Sequence, residues 1–126
     1  MMLKRYIVEF GTGVDLHGGD VTKAAKKAVK DAVSHCCLCG IEEIIGVKNF
    51  DKGMQLAIKI GSPNPENIDK DALLSVIPFG KAEIEVVEGG LSFRGLSVPS
   101  LGEGSTIVIV NAAITVYVEC GGDGIL

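Results

Sequence analysis

The sequence lacks the features that would direct it to nucleic acid or to a membrane. Its 12 basic residues are outnumbered by 16 acidic ones, for a net charge of −4. A nucleic-acid-binding surface needs excess positive charge to displace counterions from phosphates. No apolar run reaches the roughly 20 residues that a bilayer-spanning helix requires. The composition therefore predicts that neither nucleic acid nor a membrane is the partner.

Secretion and disulfide signals are also missing. The segment Met1–Tyr6 has no apolar signal core and leads directly into a predicted strand. Three of the four cysteines crowd together at Cys36, Cys37 and Cys39, where adjacent thiols bridge poorly. These features predict a cytoplasmic protein with reduced thiols. The cluster beside His35 lacks the spacing of a metal site, so its cysteines are interpreted as small buried apolar residues.

The residues that are abundant indicate one globular domain over residues 1–126. Hydrophobic residues make up 47% of the chain, and 17 residues are glycine. A chain of this length suits a single core rather than two. The apolar excess and the exposed edges of a small sheet predict a homo-oligomer.

Hydrophobic periodicity predicts an α/β (α+β) fold with the element order β-α-β-α-β-β. The main predicted strands span 4–10, 53–61, 82–88 and 106–118, with a further short strand at 42–47, and the helices span 21–38 and 68–77. Asp20 is the expected N-cap of the first helix and Gly40 its end. Asn67 is the expected cap of the second helix, and Pro78 its end. The resulting architecture is a mixed sheet with two helices on one face.

The segment Gly11–Asp20 is the predicted functional site. It joins the end of a strand to the start of a helix, where ligands of open α/β sheets gather near the helix amides. Gly11 and Gly13 are expected to permit positive φ and close backbone approach. Asp15 and His17 alternate, so an extended backbone would place both side chains on the same side.

Three chemistries fit this segment. Asp15, His17 and Asp20 could share a divalent metal ion. Alternatively, His17 could act in acid–base chemistry while Asp15 orients its imidazole. In the third, backbone amides at Gly11, Gly13 and Gly18 bind a small anion together with Lys23, although Asp15 and Asp20 would repel an anion unless a metal lies between.

A purely structural interpretation competes with these. Asp15 would hold loop amides, Asp20 would cap the helix, and His17 would bond a nearby carbonyl. Three further polar residues, Lys81, Glu88 and Asn111, are candidates to border the same crevice. Asn111 is expected to be a buried amide that a bulge or a ligand must satisfy.

The run Gly11-x-Gly13-x-Asp15-x-His17-Gly18 resembles the hallmark of the Lin0512 family of uncharacterised proteins. The resemblance extends along most of the chain, through the segments 64–66, 78–81, 86–90 and 110–113. Because the family carries no established activity, the resemblance implies no reaction. It does mark Asp15 and His17 as candidate functional residues.

The leading hypothesis is a small metal-dependent or acid–base enzyme that acts on a small polar metabolite through Asp15 and His17. Its cofactor, if any, would be a divalent metal ion. The alternative is a non-catalytic ligand-binding or assembly module.

Overall fold

A five-stranded mixed sheet with helices on one face forms the fold, which confirms the predicted α+β class. The computed structural model describes residues 2–78, 80–101 and 104–120. The strands are β1 (Met2–Asp15), β2 (Met54–Ser62), β3 (Lys81–Glu88), β4 (Leu91–Arg94) and β5 (Thr106–Cys120). The helices are α1 (Val21–Ser34), α2 (Cys39–Glu43), α3 (Phe50–Gly53) and α4 (Lys70–Leu74), with single 3-10 turns at Pro65–Asn67 and Pro99–Leu101.

The long strand β5 lies at the centre of the sheet. The order is β1-β5-β2-β3, and β4 pairs with the first residues of β5 beyond the end of β2. β5 runs antiparallel to β1, β2 and β4, whereas β2 and β3 are parallel. β5 is paired at both edges, so the central position predicted for the strand at 106–118 is confirmed.

One core lies between the sheet and α1. Alternate residues of β2 and β5 are buried, and they face a stripe of small residues on the helix. The buried helix residues are Val21, Ala24, Ala25, Ala28, Val29 and Ala32. Such a stripe lets the helix axis approach the sheet closely. Leu73 of α4 is fully buried in the same core.

Gly11 and Gly13 belong to β1 and complete this close approach. A Cβ added at Gly13 would overlap the carbonyl oxygen of Ala24 and lie 2.5 Å from the nitrogen of Ala28. The expected close backbone approach at these glycines is therefore confirmed, but the expected positive φ is wrong. Among the described glycines, positive φ occurs at Gly19, Gly46, Gly80, Gly90 and Gly104.

Two elements differ from prediction because tertiary packing and local hydrogen bonds outweigh the sequence pattern. β1 runs to Asp15 instead of ending at Phe10, since α1 packs against its two glycines. α1 ends at Ser34 instead of Leu38. The Ser34 hydroxyl donates to the carbonyl of Asp31 at 2.9 Å, which is a side-chain alternative to the helical ladder.

Two further predictions are wrong in the middle of the chain. The predicted strand at 42–47 is α2 and the turn after it, in which the amides of Ile44 and Ile45 both donate to the carbonyl of Gly40. The second helix is shorter than 68–77, and Asp69 rather than Asn67 caps it by accepting from the amide of Ala72. No helix in the described ranges has the length and apolar character needed to cross a bilayer.

Side chains from α1 cover part of the free edge of β1. Asp31 accepts a hydrogen bond from the amide of Thr12 at 2.9 Å, and Lys27 donates to the carbonyl of Val14 at 3.1 Å. Backbone groups of an outer strand otherwise stay open to pairing. The helix therefore blocks the edge over the last residues of the strand.

The face of the sheet away from the helices, called the open face below, carries exposed apolar side chains. Phe10 is 71% exposed and Phe93 is 63% exposed. Val8 and Leu91 are also exposed there, and Leu91 pairs with Ile109 of β5. The register separates these side chains into two exposed apolar areas, Val8 with Phe10 and Leu91 with Phe93, on either side of the hydrogen-bonded pair Thr12 and Asn111.

Candidate functional site

Asp15 ends β1 and organises the loop that leads to α1. Its side chain is buried, and Oδ2 accepts hydrogen bonds from the amides of Gly18 at 3.3 Å and Asp20 at 2.9 Å. The other oxygen, Oδ1, lies 3.9 Å from Nζ of Lys23. The carboxylate therefore holds the loop closed, as the structural interpretation of the sequence describes.

Asp20 is the N-cap of α1, as predicted. Its Oδ1 accepts from the amide of Lys23 at 3.0 Å. Within the ranges that the structure describes, no three His, Cys, Asp or Glu side chains converge in a way that could hold a metal ion. Asp15, His17 and Asp20 are thus not brought together as the expected ligand set, because both carboxylates are turned to backbone amides.

His17 is the residue of this loop that has a buried polar atom without a hydrogen-bond partner among the described residues. Its ring is half-buried, and Nδ1 is buried with no hydrogen-bond partner among the described residues. Gly104 packs against its carbonyl, where an added Cβ would come within 2.5 Å of the oxygen. An unsatisfied buried nitrogen costs free energy. Of the two loop candidates, His17 is the one with unused bonding capacity.

The expected anion cradle has little room. Gly11 and Gly13 are covered by α1 on their inner side. Lys23 has its ammonium near Asp15. Gly18 donates its amide to that same carboxylate. Lys23 and the amide of Gly18 are therefore engaged with a carboxylate of the chain itself.

Lys81, Glu88 and Asn111 do not border one crevice with the loop, so that expectation is corrected. Lys81 and Glu88 lie at opposite ends of β3. Asn111 is exposed on the open face, where its Oδ1 accepts from the Thr12 hydroxyl at 3.3 Å. The predicted burial of Asn111 is wrong because the open face has no helix over this position.

The structure instead places a cavity of about 580 Å³ at the C-terminal end of α1. It lies between the sheet, α2, α3 and Pro78, and the sequence analysis did not predict it. Its lining residues are mostly apolar: Glu9, Val33, Cys36, Cys37, Leu38, Cys39, Glu42, Glu43, Phe50, Met54, Leu56, Pro78, Ile114 and Val116. The volume is in the range of small-molecule sites.

The three clustered cysteines line this cavity and are exposed, so the interpretation that they are buried is wrong. The reason is that α1 ends before them, and the chain turns along the cavity mouth instead of continuing as a packed helix. All four described cysteines are free in the structure. Cys120 alone among them is buried.

Glu9 is the charged residue at the base of the cavity. It projects from β1 toward α1, is 6% exposed, and accepts no hydrogen bond from any described residue. Burial raises the pKa of its carboxyl because the charged form loses hydration. The sequence signal was a glutamate between Val8 and Phe10, on the face of the strand that a helix covers. Sequence reasoning missed it because the helix position was unknown.

The electrostatic character of the cavity is acidic. Glu42 and Glu43 of α2 line it together with Glu9, and none of the described lining residues is Lys, Arg or His. The last turn of α1, which the structure describes in full, also has no basic side chain. The unpaired carbonyls at a helix C-terminus add negative potential.

Replacing Glu9 with glutamine is expected to raise the melting temperature at pH 7. Because the folded chain binds this proton more tightly than the unfolded chain, the contribution of Glu9 to stability is complete below about pH 4.5. It is lost as the pH rises through the folded pKa. The increase in melting temperature that E9Q causes should therefore become smaller as the pH falls toward 4.5. Thermal unfolding from pH 4 to pH 8 measures it.

The exposed Glu83→Gln provides the control, which should show no such trend. The other titratable groups that face Glu9 across the cavity are Cys36, Cys37, Cys39, Glu42 and Glu43. A difference between E9Q and the wild type that is constant over this pH range would contradict the prediction.

Thiol labelling should distinguish the cavity cysteines from Cys120. We expect three thiols per chain to react rapidly with an aromatic disulfide reagent, and Cys120 to react about a hundredfold more slowly, since it needs local opening. The rate of thiolate release measures both phases. Cys120→Ala should remove the slow phase alone, and four equally fast thiols would refute the assignment.

The fold and cavity together define a small α+β domain with a mostly apolar, acidic cavity and no converged metal set among the described residues. The chain belongs to the Lin0512 family of conserved hypothetical proteins, whose model matches residues 5–116. A crystal structure described as an FtsZ-like protein of unknown function from Nostoc punctiforme has a TM-score of 0.85 to this chain and 35% sequence identity. The match covers 94% of this chain and 98% of that one. No curated protein matches the sequence.

Proposed function

We propose that the chain is a small-molecule-binding protein whose ligand occupies the cavity at the C-terminal end of α1. The observation that carries this proposal is Glu9, a residue only 6% exposed that lines the cavity and whose carboxylate has no hydrogen-bond partner among the described residues. A buried ionisable group without a partner is costly to the fold, and such groups concentrate at functional sites.

The composition of the wall supports the same proposal. Small-molecule sites are concave and mainly apolar, with a few polar groups that fix the orientation of the ligand. Here Met54, Leu56 and Ile114 supply apolar surface from two strands, and Glu9 supplies the polar group. Asp15, by contrast, is already bonded to two amides of its own loop.

Fluorescence of 1-N-phenylnaphthylamine, a neutral apolar dye, tests the cavity directly. We expect the wild type to enhance the dye emission saturably, and Cys36→Phe to reduce the enhancement at least about tenfold by filling the cavity. Ser34→Phe is the matched control, since Ser34 is exposed on the same helix end but does not line the cavity. Equal binding by C36F and the wild type, or no binding at all, would overturn the proposal.

A second candidate is the metal-dependent or acid–base enzyme acting on a small polar metabolite through Asp15 and His17. The specific observation in its favour is the buried Nδ1 of His17, which lacks a partner among the described residues. Metal analysis of untagged protein and calorimetric titration with zinc and manganese test the metal form, with His17→Ala beside the wild type. No bound metal and no affinity for either ion would eliminate it.

The open face favours a homo-oligomer, which we propose as the state of the protein. The net charge of −4 makes two copies repel each other over most orientations. Phe10, Leu91 and Phe93 are uncharged and exposed, so a second copy can cover them without apposing like charges. Light scattering should show an assembly in the wild type and a monomer in Phe10→Lys. A monomeric wild type at micromolar concentration would refute this.

A further inference from the structure

We propose that the ligand of the cavity is a compact organic cation, a primary amine on an apolar chain. This inference rests on the proposed binding function and names its ligand class. Three features of the described residues support it: a buried carboxylate with no partner, an acidic wall without a basic side chain, and the C-terminal end of a helix at the cavity mouth.

The first feature sets the position of the charge. Glu9 lines the cavity, is 6% exposed as a residue, and accepts no hydrogen bond from a described residue. An ammonium group at hydrogen-bonding distance would supply both a counter-charge and up to three donors. Charge-assisted bonds of this kind are about twice as strong as neutral ones. Glu9 is thus a positioning group that specifies where the cation binds.

The second feature excludes the opposite charge. Glu42 and Glu43 line the cavity nearer its mouth, and no basic side chain among the described lining residues offsets them. A carboxylate or phosphate ligand would be desolvated beside three carboxylates, which is unfavourable at any reasonable local dielectric constant. A protonated amine that enters the cavity is attracted by all three carboxylates.

The third feature is the orientation of α1. This 14-residue helix ends beside the cavity, where Val33 and Cys36 form part of the wall. The carbonyls of a last turn carry partial negative charge and favour cations. The last turn of the helix has no basic side chain that would neutralise this partial charge.

The apolar part of the cavity wall indicates the chemical character of the rest of the ligand. Met54, Leu56, Ile114 and Val116 line the cavity from the two central strands, and Val33, Leu38 and Phe50 add apolar side chains from the opposite wall. A chain of methylene groups or a ring gains free energy from contact with such a surface. The site therefore suits a ligand with one charged end and one apolar end, rather than a small inorganic cation.

A matched series of eight-carbon probes tests the inference by displacement of 1-N-phenylnaphthylamine. We expect octylamine to displace the dye at a concentration about tenfold lower than octanol, and octanoate to be weaker than both. Glu9→Gln should keep dye binding and lose the preference for octylamine over octanol. Glu83→Gln, which removes the same charge from the exposed face of β3, should keep the preference.

The outcomes separate this inference from the proposed function. Dye binding that is blocked by C36F, together with octanoate displacing as well as octylamine, would overturn the cation inference and leave the binding function standing. Absence of dye binding would refute both. A preference for octylamine that survives in E9Q would show that Glu9 does not position the cation, which overturns the assignment of its role.

Discussion

Replacing Gly13 with alanine is expected to destabilise the fold by about 3 kcal/mol. The added Cβ would overlap the carbonyl oxygen of Ala24, and it would lie 2.5 Å from the nitrogen of Ala28 and 2.8 Å from Cβ of Lys27. Two of these three atoms belong to helix backbone, so no side-chain rotation relieves the overlap. The helix must move away from the sheet and loosen the alanine stripe.

Thermal unfolding measures this loss, which corresponds to a fall in melting temperature of about 10 °C for a domain of this size. Gly61→Ala is the matched control. Gly61 is also a strand glycine, but its added Cβ meets no described atom closer than 3.6 Å. We expect this control to stay within about 1 kcal/mol of the wild type. A Gly13→Ala protein as stable as the control would show that α1 does not pack as described.

The second large effect is expected at Asp15, where alanine and asparagine should differ sharply. Alanine leaves the amides of Gly18 and Asp20 without their acceptor and should cost about 2–3 kcal/mol. Both bonds end on Oδ2, so an asparagine with its oxygen in that position retains them. Asp15→Asn should lose only the weak interaction with Lys23 and cost less than about 1 kcal/mol.

This pair of variants also separates the two roles considered for Asp15. If the carboxylate only organises the loop, Asp15→Asn keeps both stability and ligand binding. If it is a metal ligand or orients a catalytic imidazole, Asp15→Asn should remain folded and lose metal affinity. Denaturant unfolding and metal titration of the same two proteins provide the readouts. Equal destabilisation by alanine and asparagine would contradict the described hydrogen bonds.

Much of the fold was predictable from local sequence pattern. The alternation of Leu56, Ile58 and Ile60 identified β2, and the mostly apolar segment 106–118 identified the central strand. Asp20 was recognisable as a cap because its position before an amphipathic run leaves few other roles. These features depend on neighbours within a few residues, which a sequence displays directly.

The remaining features depend on contacts that the sequence does not display. Gly11 and Gly13 were interpreted as part of a ligand loop, because a Gly-x-Gly pair has the same appearance whether a ligand or a helix backbone approaches it. Glu9 was overlooked for a related reason. A glutamate in a strand becomes a buried group only when the helix ends beyond it and leaves a cavity there.

The Asp31 and Lys27 contacts on β1 limit the addition of a further strand to the sheet. They cap the outer edge of the sheet at Thr12 and Val14, where another strand could otherwise be added. Edge-to-edge addition of this kind is open-ended, because each added sheet presents a new edge. Association through the open face is self-limiting, because pairing two faces leaves none exposed. The helix that borders the cavity thus also protects this part of the sheet edge from strand addition.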